Sequence, residues 1–162
     1  MALDAIKKEQ DRAKAAGDVE VTSGNFDGAQ RSLESTSLEL GDKITFPQVF
    51  DKIYKSKRFN GTQYILVETE GGKVVQFFPS TFTKRRQIVN EDGTPIKGAF
   101  MKTEGTAADL FRTYSTVDEG MKALAGKNIV VNKVNEGTTM RYGTKDTMTT
   151  QFLTIDLVDP KK

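Results

Sequence analysis

The chain of 162 residues contains no cysteine, no histidine and no tryptophan. Without cysteine and histidine it has no disulfide framework, no Cys/His zinc site, and no Ser-His or Cys-His nucleophile. The commonest catalytic and metal-ligating chemistries are therefore excluded. We expect a protein that is not an enzyme and that needs neither a metal nor a cofactor.

Long hydrophobic runs are also lacking. Apolar stretches such as Ile65–Val67 and Ile129–Val131 are short, whereas a transmembrane helix needs about 18 or more apolar residues in a row. The first residues also lack the apolar core of a secretory signal. We therefore expect no secretion signal, no membrane partner and an intracellular, reducing compartment.

Charge is distributed unevenly, although the net charge is only +2. Residues 1–42 contain five basic and nine acidic side chains, a net charge of −4, whereas residues 43–102 contain eleven basic and five acidic ones, a net charge of +6. This asymmetry indicates that the middle region meets an anionic partner, or the acidic segment of its own chain or of a neighbour. The alternative is a solvated basic face.

Residues 1–42 are predicted to form an N-terminal arm. Good helix formers fill residues 2–16 and Gly17 follows, which predicts a helix that ends at the glycine. The apolar side chains of this helix are few and small, so it needs a surface to lie on. Residues 22–41 have the composition of a polar linker. The side chains expected to make the arm contacts are Leu3, Ile6, Phe26 and Leu33.

Residues 43–162 are predicted to form one β-rich domain. The patterns predict a strand at 43–46, a hairpin at 63–69 and 73–78, helices at 107–114 and 117–125, strands at 127–134 and 138–142 around a turn at 135–137, and a closing strand at 147–158. The fold class is therefore α+β, mostly β. The order of elements favours a small antiparallel OB-like barrel with a helix between strands 3 and 4, and any small antiparallel α+β barrel is the alternative.

Basic and aromatic residues cluster where two loops of such a barrel would flank a ligand groove. The loop between strands 1 and 2 would contain Lys52, Tyr54, Lys55, Lys57, Arg58 and Phe59, and the loop between strands 4 and 5 would contain Arg141, Tyr142 and Lys145. Cations on phosphates and rings stacked on bases hold single-stranded nucleic acid. The alternative for each ring, including the platform candidates Tyr64, Phe77 and Phe78, is a place in the core.

The densest basic run is Lys84, Arg85 and Arg86. It is a further candidate for binding a nucleic acid or another anionic partner. The alternative is a solvated helix end.

Several short motifs resemble small β-rich proteins of tailed phages of gut Bacteroidetes, the crAss-like group. The similarity covers residues 43–158. Its motifs are Phe77-Phe78-Pro79-Ser80, Glu104-Gly105-Thr106-Ala107, Val117-Asp118 with Met121, Gly126-Lys127, Arg141-Tyr142-Gly143-Thr144 and the threonine-rich closing strand.

The resemblance implies a viral protein, and two non-enzymatic roles in such phages fit the chain. One is an auxiliary or decoration component of the virion, which binds the major capsid protein or other virion proteins through the β-domain and the arm, after assembly in the host cytoplasm. The other is an OB-fold protein that binds single-stranded DNA through the two loops. A homo-oligomer is compatible with either role.

Overall fold

A computed structural model describes residues 2–21, 24–26, 38–57, 61–83, 85–141 and 146–158, with side chains from residue 5 onward. Within these ranges the helices are α1 (Ala2–Ala15), α2 (Thr106–Arg112) and α3 (Val117–Leu124), and Pro79–Phe82 form a 3-10 turn. The strands are β1 (Val19–Val21), β2 (Lys43–Thr45), β3 (Ile53–Lys55), β4 (Gln63–Glu68), β5 (Val74–Phe77), β6 (Arg85–Val89), β7 (Pro95–Lys102), β8 (Asn128–Met140) and β9 (Thr147–Val158).

The strands form three antiparallel sheets, so the protein is α+β and mostly β, as predicted. The strand orders are β1-β3-β4-β5, β2-β8-β9 and β6-β7. A single bridge between Ile44 and Thr69 joins the first sheet to the second. In the described residues the sheets do not close into a barrel, so the OB-like barrel stays a prediction.

A chain of aromatic rings connects the sheets to the helices inside the main core. Phe46 contacts Phe77 edge to face at a centroid distance of 5.1 Å, and Phe77 lies 5.6 Å from Phe82. Phe82 in turn stacks on Phe111 of α2 at 4.9 Å. Aromatic pairs in these geometries contribute about 0.5–1.5 kcal/mol beyond the area they bury, so this chain fixes α2 over the 3-10 turn.

The described parts of residues 1–42 pack on the rest of the protein. Ala13 of α1 lies in a second core cluster with Tyr54, Tyr64 and Phe78, and β1 extends the first sheet by pairing with β3. Phe26 is buried in the main core. The helix thus finds the surface that its composition requires, and that surface belongs to its own chain. The boundary at residue 42 stays a prediction.

The local signals for helices and tight turns are confirmed. Gly17 follows α1 with a φ of +88°, a left-handed conformation that suits a glycine after a helix. The hairpin of β4 and β5 forms as predicted. At the start of α3 the Thr116 hydroxyl accepts a hydrogen bond from the Glu119 backbone N–H at 3.1 Å, a capping interaction that begins the helix predicted at residues 117–125.

One prediction of secondary structure is wrong. The predicted turn at residues 135–137 is instead the middle of β8, because Asn135 to Gly137 each pair with a residue of β9. The alternative of a helix end for the basic run does not hold for Arg85 and Arg86, which begin β6, and Lys84 lies outside the described residues. The β6–β7 hairpin precedes the helices and was not predicted from sequence.

No helix in the described part of the chain is both long and apolar enough to cross a lipid bilayer.

Candidate anion-binding cleft

In the described part of the first predicted loop, residues 52–57, no aromatic ring is exposed. Tyr54 is only 2% exposed and stacks on Tyr64 at a centroid distance of 5.5 Å, so its prediction as a base-stacking ring is wrong. The platform candidates Tyr64, Phe77 and Phe78 are also buried. Arg58 and Phe59 lie outside the described residues.

The lysines of this loop lie beside the acidic N-terminal segment. Lys55 pairs with Val19 across β3 and β1, and the Lys57 backbone N–H donates to the Asp18 carboxylate at 2.8 Å. Lys52 is exposed and lines a groove of about 170 Å³ next to α1. Backbone groups make both contacts, so strand pairing and an amide hydrogen bond place Lys55 and Lys57 beside the N-terminal segment.

The same arm also meets the turn after β4. The Lys73 ammonium lies 3.1 Å from the Asp42 carboxylate and 3.8 Å from that of Glu39. Part of the charge asymmetry is therefore neutralised within the chain.

The second predicted loop is only partly described, since Tyr142 and Lys145 lie outside the described residues. Arg141 is exposed, and its backbone N–H donates to the Asp146 carbonyl at 2.8 Å. Arg86 donates from its guanidinium to the carbonyl of Met140. Arg86 therefore ties β6 to the far end of β8, and this contact uses one of its donors inside the protein.

The predicted arm contacts are made within the chain where they are described. Phe26 is buried against Phe50, with ring centroids 5.5 Å apart, and Ile6 lines the groove next to α1. The Leu3 side chain and Leu33 lie outside the described part of the structure. Phe26 is thus unavailable to an external partner.

The structure instead forms a cleft of about 520 Å³ between the base of the β6–β7 hairpin and the α2–α3 junction. Its floor includes the stacked rings of Phe82 and Phe111. The remaining lining residues are Thr83, Arg85, Lys102, Arg112, Tyr114, Ser115, Thr116 and Val117. Of the residues singled out from sequence, Arg85 is the one that lines it. The volume lies within the range of about 300–1,000 Å³ that is typical of ligand pockets.

Three cations of the cleft have no acidic partner within ion-pair distance among the described residues. Arg85 and Lys102 are directly opposite each other on β6 and β7, an arrangement of like charges that destabilises a sheet. Arg112 is half-buried, and this burial lowers the pKa of its guanidinium, although Asp109 and Glu104 oppose the shift. An anion in the cleft would relieve both costs.

Two exposed aromatic rings accompany these cations. Tyr114 lines the cleft and is 45% exposed, and Phe100 is 44% exposed. The guanidinium carbon of Arg85 lies 4.6 Å from the centre of the Phe100 ring. In the described part of the chain these are the two exposed aromatic side chains. Tyr114 lines the cleft together with the three cations, and Phe100 contacts one of them, Arg85.

The hydroxyl groups of Ser115, Thr116 and Thr83 at the rim of the cleft make hydrogen bonds within the protein. Ser115 and Thr116 both donate to the Glu119 carboxylate, at 3.1 and 2.9 Å, and Thr83 donates to the Ser80 carbonyl at 3.2 Å. The donors that remain for a ligand are the three cations and the Tyr114 hydroxyl. The cleft is therefore suited to an anionic group that lies beside a planar ring.

Sequence reasoning missed Lys102, Arg112, Phe100 and Tyr114. Residues 85 and 102 come together only through the hairpin register, and residues 112 and 114 only through the packing of α2 on the 3-10 turn. A signal for the hairpin was present in the dense turn at residues 90–95, which strands commonly flank.

Family models, curated proteins and solved structures were all compared with the chain, and none matches it. The geometry of the cleft is therefore the basis for a functional proposal.

Proposed function

We propose that this protein is a non-enzymatic binding protein that holds single-stranded nucleic acid in the cleft. The observation that carries the proposal is the group of three cations that have no acidic partner within ion-pair distance in the described part of the chain, together with the two exposed rings. Arg85, Lys102 and Arg112 would contact phosphates, and Tyr114 and Phe100 would stack on bases. Single-stranded nucleic acid is the anionic polymer that uses cations and planar rings together.

The OB-like barrel belongs to this proposal. The bridge between Ile44 and Thr69, which joins two of the sheets, supports such an arrangement. The proposal does not depend on closure of the barrel, since its ligand contacts come from the β6–β7 hairpin and from the α2–α3 junction rather than from the two loops that were first considered.

Binding is tested by fluorescence anisotropy with a labelled oligo-dT at several salt concentrations. Lys102→Ala removes one phosphate contact. We therefore expect the plot of the log of the association constant against the log of the salt concentration to become less steep by about 0.7. Lys97→Ala is the matched control, because Lys97 is an exposed lysine of the same strand that does not line the cleft. An equal effect of both substitutions, or no binding at low salt, would contradict the proposal.

The rings are tested separately with Tyr114→Ala and Phe100→Ala. Loss of a stacked base costs about 1–3 kcal/mol, so each variant should bind more weakly while its salt slope stays unchanged. Circular dichroism checks that the variants remain folded. If both variants bind oligo-dT with full affinity, the two rings do not contribute to binding.

A second candidate function is that of an auxiliary structural protein of the virion. In this role the protein would be located in the virion. The observation that favours it is the apolar groove beside α1, which is lined by Ile6, Pro47, Phe50 and Leu66. Val49 also lines it and is 69% exposed. Apolar side chains in such a groove are suited to a protein partner, which in this role is the major capsid protein or another virion protein.

The virion role is tested by mass spectrometry of purified particles, in which the chain should be present in many copies. Removing residues 1–42 is unsuitable, since Phe26 and Leu38 are part of the core. Val49→Asp should instead release the protein from particles. Val19→Asp is the matched control, because Val19 is also an exposed valine and lies outside the groove. A chain found only in infected-cell lysate would rule the virion role out.

A further inference from the structure

The outer edge of β9 is covered along only part of its length. At Leu153 to Ile155 this edge is occupied by Glu104, which donates to the Leu153 carbonyl at 3.0 Å and accepts from the Ile155 N–H at 2.8 Å. Along residues 147–151, no strand in the described part of the chain pairs with the outer edge. Among the described residues, the backbone donors and acceptors on the outer side of residues 147–151 can therefore pair with another strand.

The composition of this open edge is unusual for a protein surface. Residues 147–155 contain no charged residue, no proline and no glycine, whereas natural edge strands are commonly protected by lysine, proline or a bulge. The one register shift between β8 and β9 lies at Val131 to Lys133, away from the open end. Uncharged, threonine-rich segments of this kind pair readily with other strands.

We propose that two copies of the chain pair antiparallel through residues 147–151 of β9, with Thr149 opposite its own copy at the two-fold axis. The pairing would join two three-stranded sheets into one continuous sheet of six strands. It is isologous, so the same edge serves both partners. The open edge contains no charge, so it meets its own copy without like-charge repulsion, and Thr-Thr pairs across strands are favourable.

The placement of the two faces of β9 agrees with this pairing. Phe152 and Thr139 are buried on the side that the β6–β7 hairpin covers, whereas Thr149 and Gln151 are exposed. Edge pairing adds a strand beside β9 and leaves the polar Thr149 and Gln151 in solvent. It therefore completes the hydrogen bonds of the edge at little cost in desolvated side chains.

The absence of native cysteine makes a single-cysteine experiment direct. Two Thr149→Cys chains would come close to each other at the two-fold axis, where a disulfide needs Cα atoms within about 7 Å. Thr138→Cys is the matched control, because Thr138 is the cross-strand neighbour of Thr149 on β8. Each control cysteine lies one strand, about 4.8 Å, further from the axis.

We expect a mild oxidant to cross-link the Thr149→Cys protein into a covalent dimer and to leave the Thr138→Cys protein monomeric. Sedimentation of the wild-type chain should show a concentration-dependent equilibrium between the masses of one and two chains. Thr149→Lys should weaken that equilibrium about fivefold, since like charges opposite each other cost about 1 kcal/mol. Thr138→Lys should leave it nearly unchanged.

Three results would overturn the proposal. The first is a wild-type chain that stays monomeric at every concentration. The second is equal cross-linking of the two cysteine variants. The third is a dimer that Thr149→Lys does not weaken. None of these bears on the nucleic-acid cleft, because Thr149 does not line it.

Discussion

Ser80 carries a hydroxyl that is fully buried and has no hydrogen-bond partner among the described residues. A buried polar group without a partner costs about 1–3 kcal/mol of desolvation. We therefore predict that Ser80→Ala leaves the free energy of unfolding unchanged or raises it by about 1 kcal/mol. The measurement is the midpoint and slope of urea unfolding.

Thr103 provides the control for this prediction, because its buried hydroxyl does have a partner. It donates to the Thr81 carbonyl at 2.6 Å, so Thr103→Val removes a hydrogen bond while keeping the shape of the side chain. We expect this variant to lose about 1 kcal/mol. If Ser80→Ala lost as much as Thr103→Val, the Ser80 hydroxyl would have to be bonded in solution.

Sequence alone predicted one residue that lines the cleft, Arg85, and misassigned Tyr54 elsewhere in the chain. Arg85 was singled out because it belongs to a dense basic run. Tyr54 was assigned to a loop because its basic neighbours are polar, but its ring is held in the core by Tyr64 and by Ala13 of α1. No local pattern specifies that contact, since residues 13 and 54 meet only through the packing of α1 on the sheet.

At the scale of elements, predictions succeeded where the signal is local. A cap or a glycine turn is specified by a few adjacent residues, and α3 and the β4–β5 hairpin formed accordingly. The β6–β7 hairpin was missed because its alternation is interrupted: the register shifts between Gln87 and Val89, and Gly98 has a φ of +76°. The predicted break in β8 failed because pairing with β9 outweighs the turn preference of its Asn and Gly.

The carboxylate of Asp156 in β9 connects this strand to α2 and β8. It accepts hydrogen bonds from the Thr106 backbone N–H at 2.7 Å and from the Asn132 side chain at 2.5 Å. The hydrogen bond from Asn132 is the main reason that the pKa of Asp156 is lowered, followed by that from Thr106. Asp156 thus fastens the start of α2 to β8 and β9.

We predict that Asp156→Asn lowers the free energy of unfolding at neutral pH by about 1 kcal/mol, since a charged acceptor of a largely exposed site is lost. The folded-state pKa lies below the unfolded value of about 3.9. The stabilisation is therefore fully present above that value and is lost as the pH falls through the folded pKa. The measurement is urea unfolding of both proteins between neutral and acidic pH.

Asp51→Asn serves as the control, because Asp51 is exposed and has no hydrogen bond or ion pair among the described residues. Its unfolding free energy should follow that of the wild type at every pH. If the difference in unfolding free energy between the wild type and Asp156→Asn does not shrink at acidic pH, the lost stability is unrelated to the ionisation of Asp156.

At the scale of the whole molecule, the near-neutral net charge conceals an internal division. The acidic segment is folded against parts of the basic region, through Asp18 near Lys57 and through Asp42 near Lys73. Among the described residues, Arg85 and Lys102 have no acidic side chain within ion-pair distance, although they lie opposite each other in the β6–β7 hairpin. The described chain therefore contains both a lysine that pairs with the acidic segment, Lys73, and cations that do not.

Asp18 is one of the links that hold the N-terminal segment to the first sheet. Its carboxylate accepts from the Tyr64 hydroxyl at 2.5 Å and from the Lys57 backbone N–H at 2.8 Å. Burial, followed by the Asp18 contact, raises the pKa of Tyr64, so this phenol stays protonated and donates throughout the physiological range. Gln76 opposes this rise in the pKa of Tyr64.

We predict that Asp18→Ala lowers the free energy of unfolding by about 2 kcal/mol, because it removes two hydrogen bonds to a charged acceptor. In a Tyr64→Phe background the same substitution should cost about 1 kcal/mol less, since one of the two bonds is already gone. Urea unfolding of the four proteins measures this coupling. Hydrogen exchange should also show faster exchange in α1 and β1, with the amides of β8 and β9 unaffected. Additive effects, or equal changes in exchange across all strands, would mean that Asp18 does not hold the arm to the sheet.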